Sequence, residues 1–409
     1  MSAPETIAIL DGLCKRGDVA RFVGGCVRDA VLGRPIKDID IATPLPPESV
    51  IALLGAADIH VIPTGIEHGT VTAVIGKAHF EITSLRRDVE TYGRKAKVAF
   101  TDDWLEDAGR RDFTINTLFC DGDGTLYDPC GGLADLEAGL VRFVGDPGAR
   151  IKEDVLRILR FFRFHAWYGK GVADVAALAA CRAHADTLPG LSPERVWSEI
   201  RRLLMAPDPV PVLEMMGQAG VLQQILPEAG DLGTLGQLVL IERDLNENDP
   251  LRRLAAILFG CGDRHEDCAH DIAVRLHLSN AERDRLATIL AFEPQAAPEA
   301  TQVVWRLALY KIGPARFRDR VLLGWADAGA GSGTGADDAP WREMLGVAAD
   351  WQPVEMPLRG RDVLDLGVPA GEKIGELLAK VEDWWIVGDF AASREACLEK
   401  LKEFEQAGD

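Results

Sequence analysis

No run of about 18 apolar residues occurs anywhere in the 409-residue chain, so no membrane-spanning helix is expected. The start, MSAPETIAILDGLCKRGD, lacks the basic segment, apolar stretch and small-residue cleavage site of a signal peptide. Cysteines number 8, from Cys14 to Cys397, without a framework spacing, which predicts reduced thiols and a cytoplasmic location. Histidine is equally sparse, with 8 scattered residues, which argues against a His/Asp metal phosphohydrolase despite the pair His270-Asp271. Cys261, His265, Cys268 and His270 do not have zinc-finger spacing. The phosphate-loop pattern G-x-x-x-x-G-K-[ST], the dinucleotide pattern G-x-G-x-x-G and any repeat of 20–50 residues are all missing.

Positive charge is also short. The net charge of −19 argues against non-specific binding to nucleic acid. Its distribution is uneven: residues 1–170 carry 21 Lys and Arg against 25 Asp and Glu, and the remainder carries 24 against 39. An acidic protein can still grip RNA through a local basic cleft.

Hydrophobic residues make up 47% of the chain, enough to build packed cores in more than one domain. SVIALLGAAD (49–58) has helical texture, whereas TVTAVIG (70–76) and HFEITSL (79–85) alternate as strands. Near Arg150 the texture changes. Ile151, Val155, Ile158, Leu159, Phe162 and Ala166 keep helical spacing and predict one helix over 151–168. From there the chain reads as helices, with starts at Ser192-Pro193-Glu194 and Ser279-Asn280-Ala281-Glu282. AGAGSGTGADDAP (328–340) reads as a linker. The fold class is α+β: an α/β head over 1–148, a helical neck over 149–230, and a helical body and tail over 231–409.

Residues 23–43, VGGCVRDAVLGRPIKDIDIAT, concentrate the chemistry. Gly24 and Gly25 end a short strand and precede a helix, where backbone N–H groups can meet a phosphate. Arg28 adds a bidentate charge one turn on. Asp38 and Asp40 lie on one face of the following strand, and carboxylates so close repel unless a cation shares them. Mg²⁺ suits such oxygen ligands. An exposed polar strand would carry the same pair.

This stretch resembles the signature of the class II nucleotidyltransferases, the group of CCA-adding tRNA nucleotidyltransferases and bacterial poly(A) polymerases. Four further blocks follow in that family's order: Arg110-Arg111-Asp112-Phe113-Thr114-Ile115-Asn116; Asp128-Pro129-Cys130-Gly131-Gly132 with Asp135-Leu136; Glu153 to Phe164; and Ser192 to Glu199. The resemblance implies that Asp38 and Asp40 carry Mg²⁺, and that Arg111 and Asp112 contact the ribose and nucleotide. It implies that Asp154 and Arg157 read the edges of CTP and ATP, with Arg160 and Arg163 facing the triphosphate. The third block suits a turn or hinge, and the fifth a buttress for the reading helix. Residues 86–107 resemble the mobile loop that CCA- and A-adding members carry and CC-adding members lack.

A third carboxylate often completes two-metal phosphoryl transfer. Glu81 on HFEITSL and Asp112 compete for that place; Glu81 is taken as metal or general-base partner and Asp112 as ribose contact. The resulting expectation is Mg²⁺-dependent addition of CCA to tRNA from CTP and ATP. The alternatives are a poly(A) polymerase, an A-adding enzyme, or a tRNA-binding protein with a degenerate site. In LRGRDVLDLGVPAGEKIGELL (358–378), helix starts could hold tRNA phosphates, or form a plain helical hairpin. The oligomeric state stays open.

Overall fold

The computed structural model describes the chain apart from residues 16, 18, 93–94, 260–264, 292–297, 333–337 and 407–409, and apart from the side chains of 88–92, 95–98, 265–266 and 331–332. The chain divides into two compact units, Met1–Pro227 and Glu228–Asp409.

The first unit opens with α1 (Pro4–Cys14), which seats Ile9 and Leu13 in the core. β1 (Arg21–Val23) leads through the paired glycines into α2 (Gly25–Val31), then β2 (Ile39–Thr43), α3 (Pro47–Gly55), β3 (His60–Gly65), β4 (Thr70–Ile75) and β5 (Ala78–Ser84). β6 (Arg86–Tyr92) and β7 (Lys95–Phe100) pair only with each other and lead into α4 (Trp104–Gly109). β8 (Phe119–Cys120), β9 (Leu126–Tyr127) and α5 (Gly132–Ala138) finish the head. Among the described residues the main sheet has seven strands in the order β3-β4-β5-β2-β1-β8-β9. Its one parallel pair, β2 with β5, lies at the centre, and the crossover through α3, β3 and β4 sets Asp40 opposite Glu81. Behind that centre Val23, Ala42, Leu85, Ala108 and Phe119 form a dry cluster.

Three expectations change. The single helix over 151–168 is broken: α6 (Pro147–Glu153) stops at Asp154, whose φ of −150° is extended, and α7 (Arg157–Tyr168) starts again three residues later. The Asp154 Oδ1 accepts the Leu156 N–H at 3.1 Å, a local turn that competes with the helix ladder. The polar stretch 86–107 is an antiparallel hairpin followed by a helix, not an open loop. At its root the Thr101 N–H donates to Leu85 and the Leu85 N–H to Thr43, tying the hairpin to the sheet. Finally, 328–332 continues a helix rather than starting a linker, while 333–337 lies outside the described residues.

The neck continues with α8 (Val175–Ala183), α9 (Pro193–Leu204), α10 (Val210–Gln218) and α11 (Leu222–Ile225). Ser192 stands at the N-cap of α9 with Pro193 at the first position.

The second unit is helical throughout its described residues: α12 (Gly233–Asp244), α13 (Pro250–Leu258), α14 (His265–Arg275), α15 (Asn280–Leu290), α16 (Gln302–Ser332), α17 (Asp338–Ala349), α18 (Gly360–Leu364), α19 (Glu372–Val387) and α20 (Arg394–Gln406). Ser279 and Glu282 close a reciprocal cap on α15. Gly313, at φ 79°, with Pro314 behind it kinks α16. A buried ionic cluster ties α12, α13, α15 and α16: Arg252 and Arg253 grip the fully buried Glu242, and Asp319 takes Arg252 and Arg285. Residues 358–378 carry α18 and the start of α19, packed over Leu358, Val363, Leu377, Val381 and Trp385. Cys261 lies outside the described residues; among the described ones no group of three or more His, Cys, Asp or Glu side chains could hold a metal ion. Cys26, Cys120, Cys181 and Cys397 are buried free thiols. No helix among the described residues is long and apolar enough to cross a membrane.

Candidate active site

The glycine turn exists because Gly24 takes φ 71° and ψ −123°, a backbone region closed to residues with a Cβ. Its N–H donates to the Leu118 carbonyl at 3.0 Å, fastening the turn to the strand after the Arg-Arg-Asp block. A Cβ there would sit 3.5 Å from Arg111 Nη1 and 3.6 Å from the Asn116 carbonyl. The turn thus delivers the start of α2 beside Arg111.

Asp40 is half-buried on β2, in register with Glu81 on β5. Asp38 sits just before the strand and is exposed, as is Glu81. The Asp40 carboxyl is pushed above its ordinary range by burial first, then by the negative charge of Glu81, against the pull of Arg111 and with a further push from Asp38. Two neighbouring acids thus add to burial in disfavouring the Asp40 charge. The carboxylate chemistry fits Mg²⁺, although the three groups do not close into a cage.

The Arg-Arg-Asp block is held by a residue that the sequence motifs pass over. Asp107, 1% exposed, takes Arg110 through Oδ1 at 2.8 Å and Arg111 through Oδ2 at 2.8 Å, and also accepts the Arg86 N–H at the root of the hairpin. Asp112 is buried and saturated. Its Oδ1 accepts from the Phe113 N–H and Asn116 Nδ2 at 2.9 and 3.0 Å, and its Oδ2 accepts from Arg160 Nε at 2.7 Å. Burial opposes its charge, but Arg160, Asn116 and the N–H of Phe113 win and hold its pKa at about 2. The third block works as a clamp on this segment. Asp128 caps the N–H groups of Gly132 and Leu133, and Asp135 takes Thr114 Oγ1 and Arg142.

On the neck side, the break at Asp154 separates Asp154 from Arg157. Asp154 and Arg157 do not pair as helix neighbours. Arg195 of α9 binds the Asp154 Oδ2 at 2.7 Å, and Arg157 binds Glu153 and the Arg150 carbonyl. Arg163 pairs with the buried Glu199, which also lies 3.7 Å from Arg160. Phe164 lies under Arg160 and Arg163, with ring centroids 5.4 and 4.1 Å away.

These parts enclose a cleft of about 500 Å³. Gly24, Gly25, Arg28, Asp40, Arg111, Asp112, Asp154, Arg157, Arg160 and Arg163 all line it; Asp38 and Glu81 do not. Asn116, Leu156, Phe164 and Arg195 line it as well, unforeseen as site residues. Asn116 and Arg195 stand inside the second and fifth blocks, where position in a block was the only available signal. Glu199 closes the fifth block, and its pairing with Arg163 fits the buttress role expected of that block; Asp107 announces itself only through burial.

Residues 20–142 match the family model described as the poly A polymerase head domain, and residues 175–232 the one described as the probable RNA and SrmB-binding site of polymerase A. The chain is 33% identical to the mitochondrial CCA tRNA nucleotidyltransferase 1 of Danio rerio, over 94% of this chain and 87% of that protein. It is 30% identical to the CCA-adding enzyme of Streptococcus gordonii, over 98% and 97%. The crystal structure of the Bacillus stearothermophilus CCA-adding enzyme in complex with CTP superposes with a TM-score of 0.81 at 29% identity, covering 100% of this chain and 99% of the other.

Proposed function

We infer the chemistry of the cleft from one premise: the chain belongs to the CCA-adding tRNA nucleotidyltransferase family. Its function is the template-independent addition of CCA to the 3′ end of tRNA from CTP and ATP, with release of pyrophosphate. The observation that carries this reading is the joining, in one cleft, of an acidic end at Asp40 to an arginine floor that ends at Asp154 and Arg157.

The triphosphate lies along Arg28, Arg111, Arg160 and Arg163 and the N–H groups after Gly24. Guanidinium forks suit phosphate oxygens, and pre-set donors need no rearrangement as charge builds on the leaving pyrophosphate. Each of these arginines already has a protein acceptor: Asp29 and Asn116 for Arg28, Asp107 for Arg111, Asp112 for Arg160, Glu199 for Arg163. They are therefore held straight before the nucleotide arrives, which lowers the entropic cost of orienting it.

Asp38 and Asp40 are the residues that would hold Mg²⁺, which when bound supplies charge neutralisation at the transferring phosphate and activation of the tRNA 3′-hydroxyl. Glu81, exposed and in register with Asp40, is the third carboxylate in this reading, able to receive the hydroxyl proton. Asp112 is unsuited to that place because Arg160, Asn116 and the Phe113 N–H already occupy its oxygens. The attacking 3′-oxygen enters in line with the departing pyrophosphate.

Base choice falls to Asp154 and Arg157. Asp154 has one oxygen on Arg195 and the other on the Leu156 N–H, so it is presented as a fixed acceptor. An acceptor beside a guanidinium donor complements the amino group and ring nitrogen of cytosine or adenine. Uracil and guanine put a carbonyl where the amino group should be, so they meet carboxylate with oxygen.

The test is incorporation from single labelled nucleotides into tRNA lacking CCA, tRNA ending in CC, and mature tRNA. CCA addition takes up CTP on the first, one ATP on the second and nothing on the third. Long A tracts on unrelated RNA would instead identify a poly(A) polymerase. No incorporation at all would identify a tRNA-binding protein with a degenerate site. Removing the hairpin residues 88–98 is expected to stop the product at CC.

A further inference from the structure

Tyr168 is the last residue of α7 and belongs to none of the sequence blocks. Two guanidinium groups of the head lie over its half-buried ring, Arg28 at 4.1 Å and Arg34 at 4.7 Å from the ring centroid. Its hydroxyl donates to Asp29 Oδ1 at 3.0 Å. Asp29 in turn holds Arg28 with both oxygens, Nε to Oδ1 at 3.0 Å and Nη2 to Oδ2 at 3.1 Å. Arg34 donates from Nη2 to the neighbouring Trp167 carbonyl at 3.0 Å.

The bonds do not stop there. Arg28 Nη1 donates to Asn116 Oδ1 at 2.6 Å, Asn116 Nδ2 donates to Asp112 Oδ1 at 3.0 Å, and Asp112 accepts from Arg160. A closed circuit thus leaves α7 at Tyr168, crosses the head through α2 and the Arg-Arg-Asp segment, and returns to α7 at Arg160. Arg28 is buried, and Tyr168 supplies one of its faces.

We propose that Tyr168 is a positioning residue that locks α2 to the base-reading helix, so that the phosphate grip of Arg28 and the base reading of the neck keep one fixed spacing. The proposal rests on the reading of Arg28 as a triphosphate ligand. An aromatic ring stacked on a guanidinium, with its own hydroxyl fixing that guanidinium's carboxylate, removes the rotamer freedom that Arg28 would otherwise lose on binding. A ring that served packing alone would need neither the second arginine nor the hydroxyl partner.

The experiment compares full-length wild type with Tyr168→Ala, Tyr168→Phe and Arg34→Gln, using tRNA lacking CCA and tRNA ending in CC. Tyr168→Ala is expected to raise KM for CTP and ATP together by about tenfold, with kcat changed less than about threefold. Tyr168→Phe keeps the stack and is expected to recover most of the loss; Arg34→Gln, which keeps the ring on Arg28, is expected to raise both KM values less than Tyr168→Ala. A Tyr168→Ala protein that melts lower but keeps both KM values overturns the proposal, as does a fall in kcat at unchanged KM. Equilibrium dialysis of labelled CTP separates two failures. A wild-type protein that extends no tRNA overturns the reaction, yet the lock stands if Tyr168→Ala still weakens CTP binding. Unchanged CTP affinity in that variant overturns the lock whatever the wild type does.

Discussion

Asp40 shows how a single residue can be set against its own fold. Its ionised form is disfavoured by burial and by Glu81, so the folded pKa lies above the unfolded one. A group raised in this way favours the fold while protonated and loses that advantage as pH rises through and just above the ordinary carboxylate range. Asp40→Asn is therefore expected to raise the melting temperature of the metal-free protein, to remove any stabilisation by Mg²⁺, and to abolish nucleotide addition. Calorimetry with and without Mg²⁺ reads all but the last. A lower melting temperature for Asp40→Asn would contradict the crowding argument. Asp112 is the opposite case. Its pKa of about 2, against 3.8 when free, contributes stability that is full above the unfolded value and is lost as pH falls from about 4 to about 2. The shift corresponds to roughly 2 kcal/mol, and Asp112→Asn should flatten acid unfolding in that window. These residues lay in recognisable motifs, but the sign of each shift came from tertiary context: burial first and then Glu81 for Asp40, and for Asp112 an Arg160 that outweighs burial.

Elements obey local signals well where the backbone can satisfy itself. The strand alternations of 70–76 and 79–85 and the helix texture of 49–58 became β4, β5 and α3. The helix over 151–168 failed at Asp154 because a side chain outbid the ladder for one N–H and a distant arginine held the other oxygen. Apolar periodicity passes straight through such a break, since Ile151, Ile158 and Phe162 still face the core on both sides of it. The third block had two sequence readings, turn or hinge, and it packs as a clamp. A Cβ on Gly132 would lie 2.2 Å from the Thr114 carbonyl, in the turn that carries Asn116. Gly132→Ala is expected to cost about 1–3 kcal/mol through overpacking and to lower kcat by disturbing Asn116 and Asp112. Denaturant melts and single-nucleotide kinetics check the two effects. Full activity with full stability would show that the turn yields freely.

At the scale of the whole molecule, the two compact units divide the work of folding. The second unit spends charge inside its own core: Glu242 is fully buried between Arg252 and Arg253. Removing one partner leaves the others buried without their acid, so Glu242→Ala is expected to cost about 3 kcal/mol. The loss should appear as an earlier melting of the Glu228–Asp409 unit while nucleotide binding in the first unit persists; simultaneous loss of both would show that the units melt as one. The net charge of −19 does not prevent RNA binding through local basic groups. tRNA affinity should then fall steeply with salt, with a log–log slope set by the number of phosphates met.

The sequence by itself determined the family, the order of its blocks, the head-then-helices plan and ten of the fourteen residues that line the cleft. These are carried by short spacings, in which a glycine, a carboxylate or an arginine has one place to go. Tertiary structure alone decided which acid holds which arginine. Asp107, Asn116 and Tyr168 come from three different elements and Arg195 and Glu199 from a fourth, α9, and a partner chosen by burial and packing leaves no spacing to read. It also set Glu81 in register with Asp40 and gave the Asp112 oxygens three donors, the two observations on which the proposal of Glu81 as third carboxylate rests.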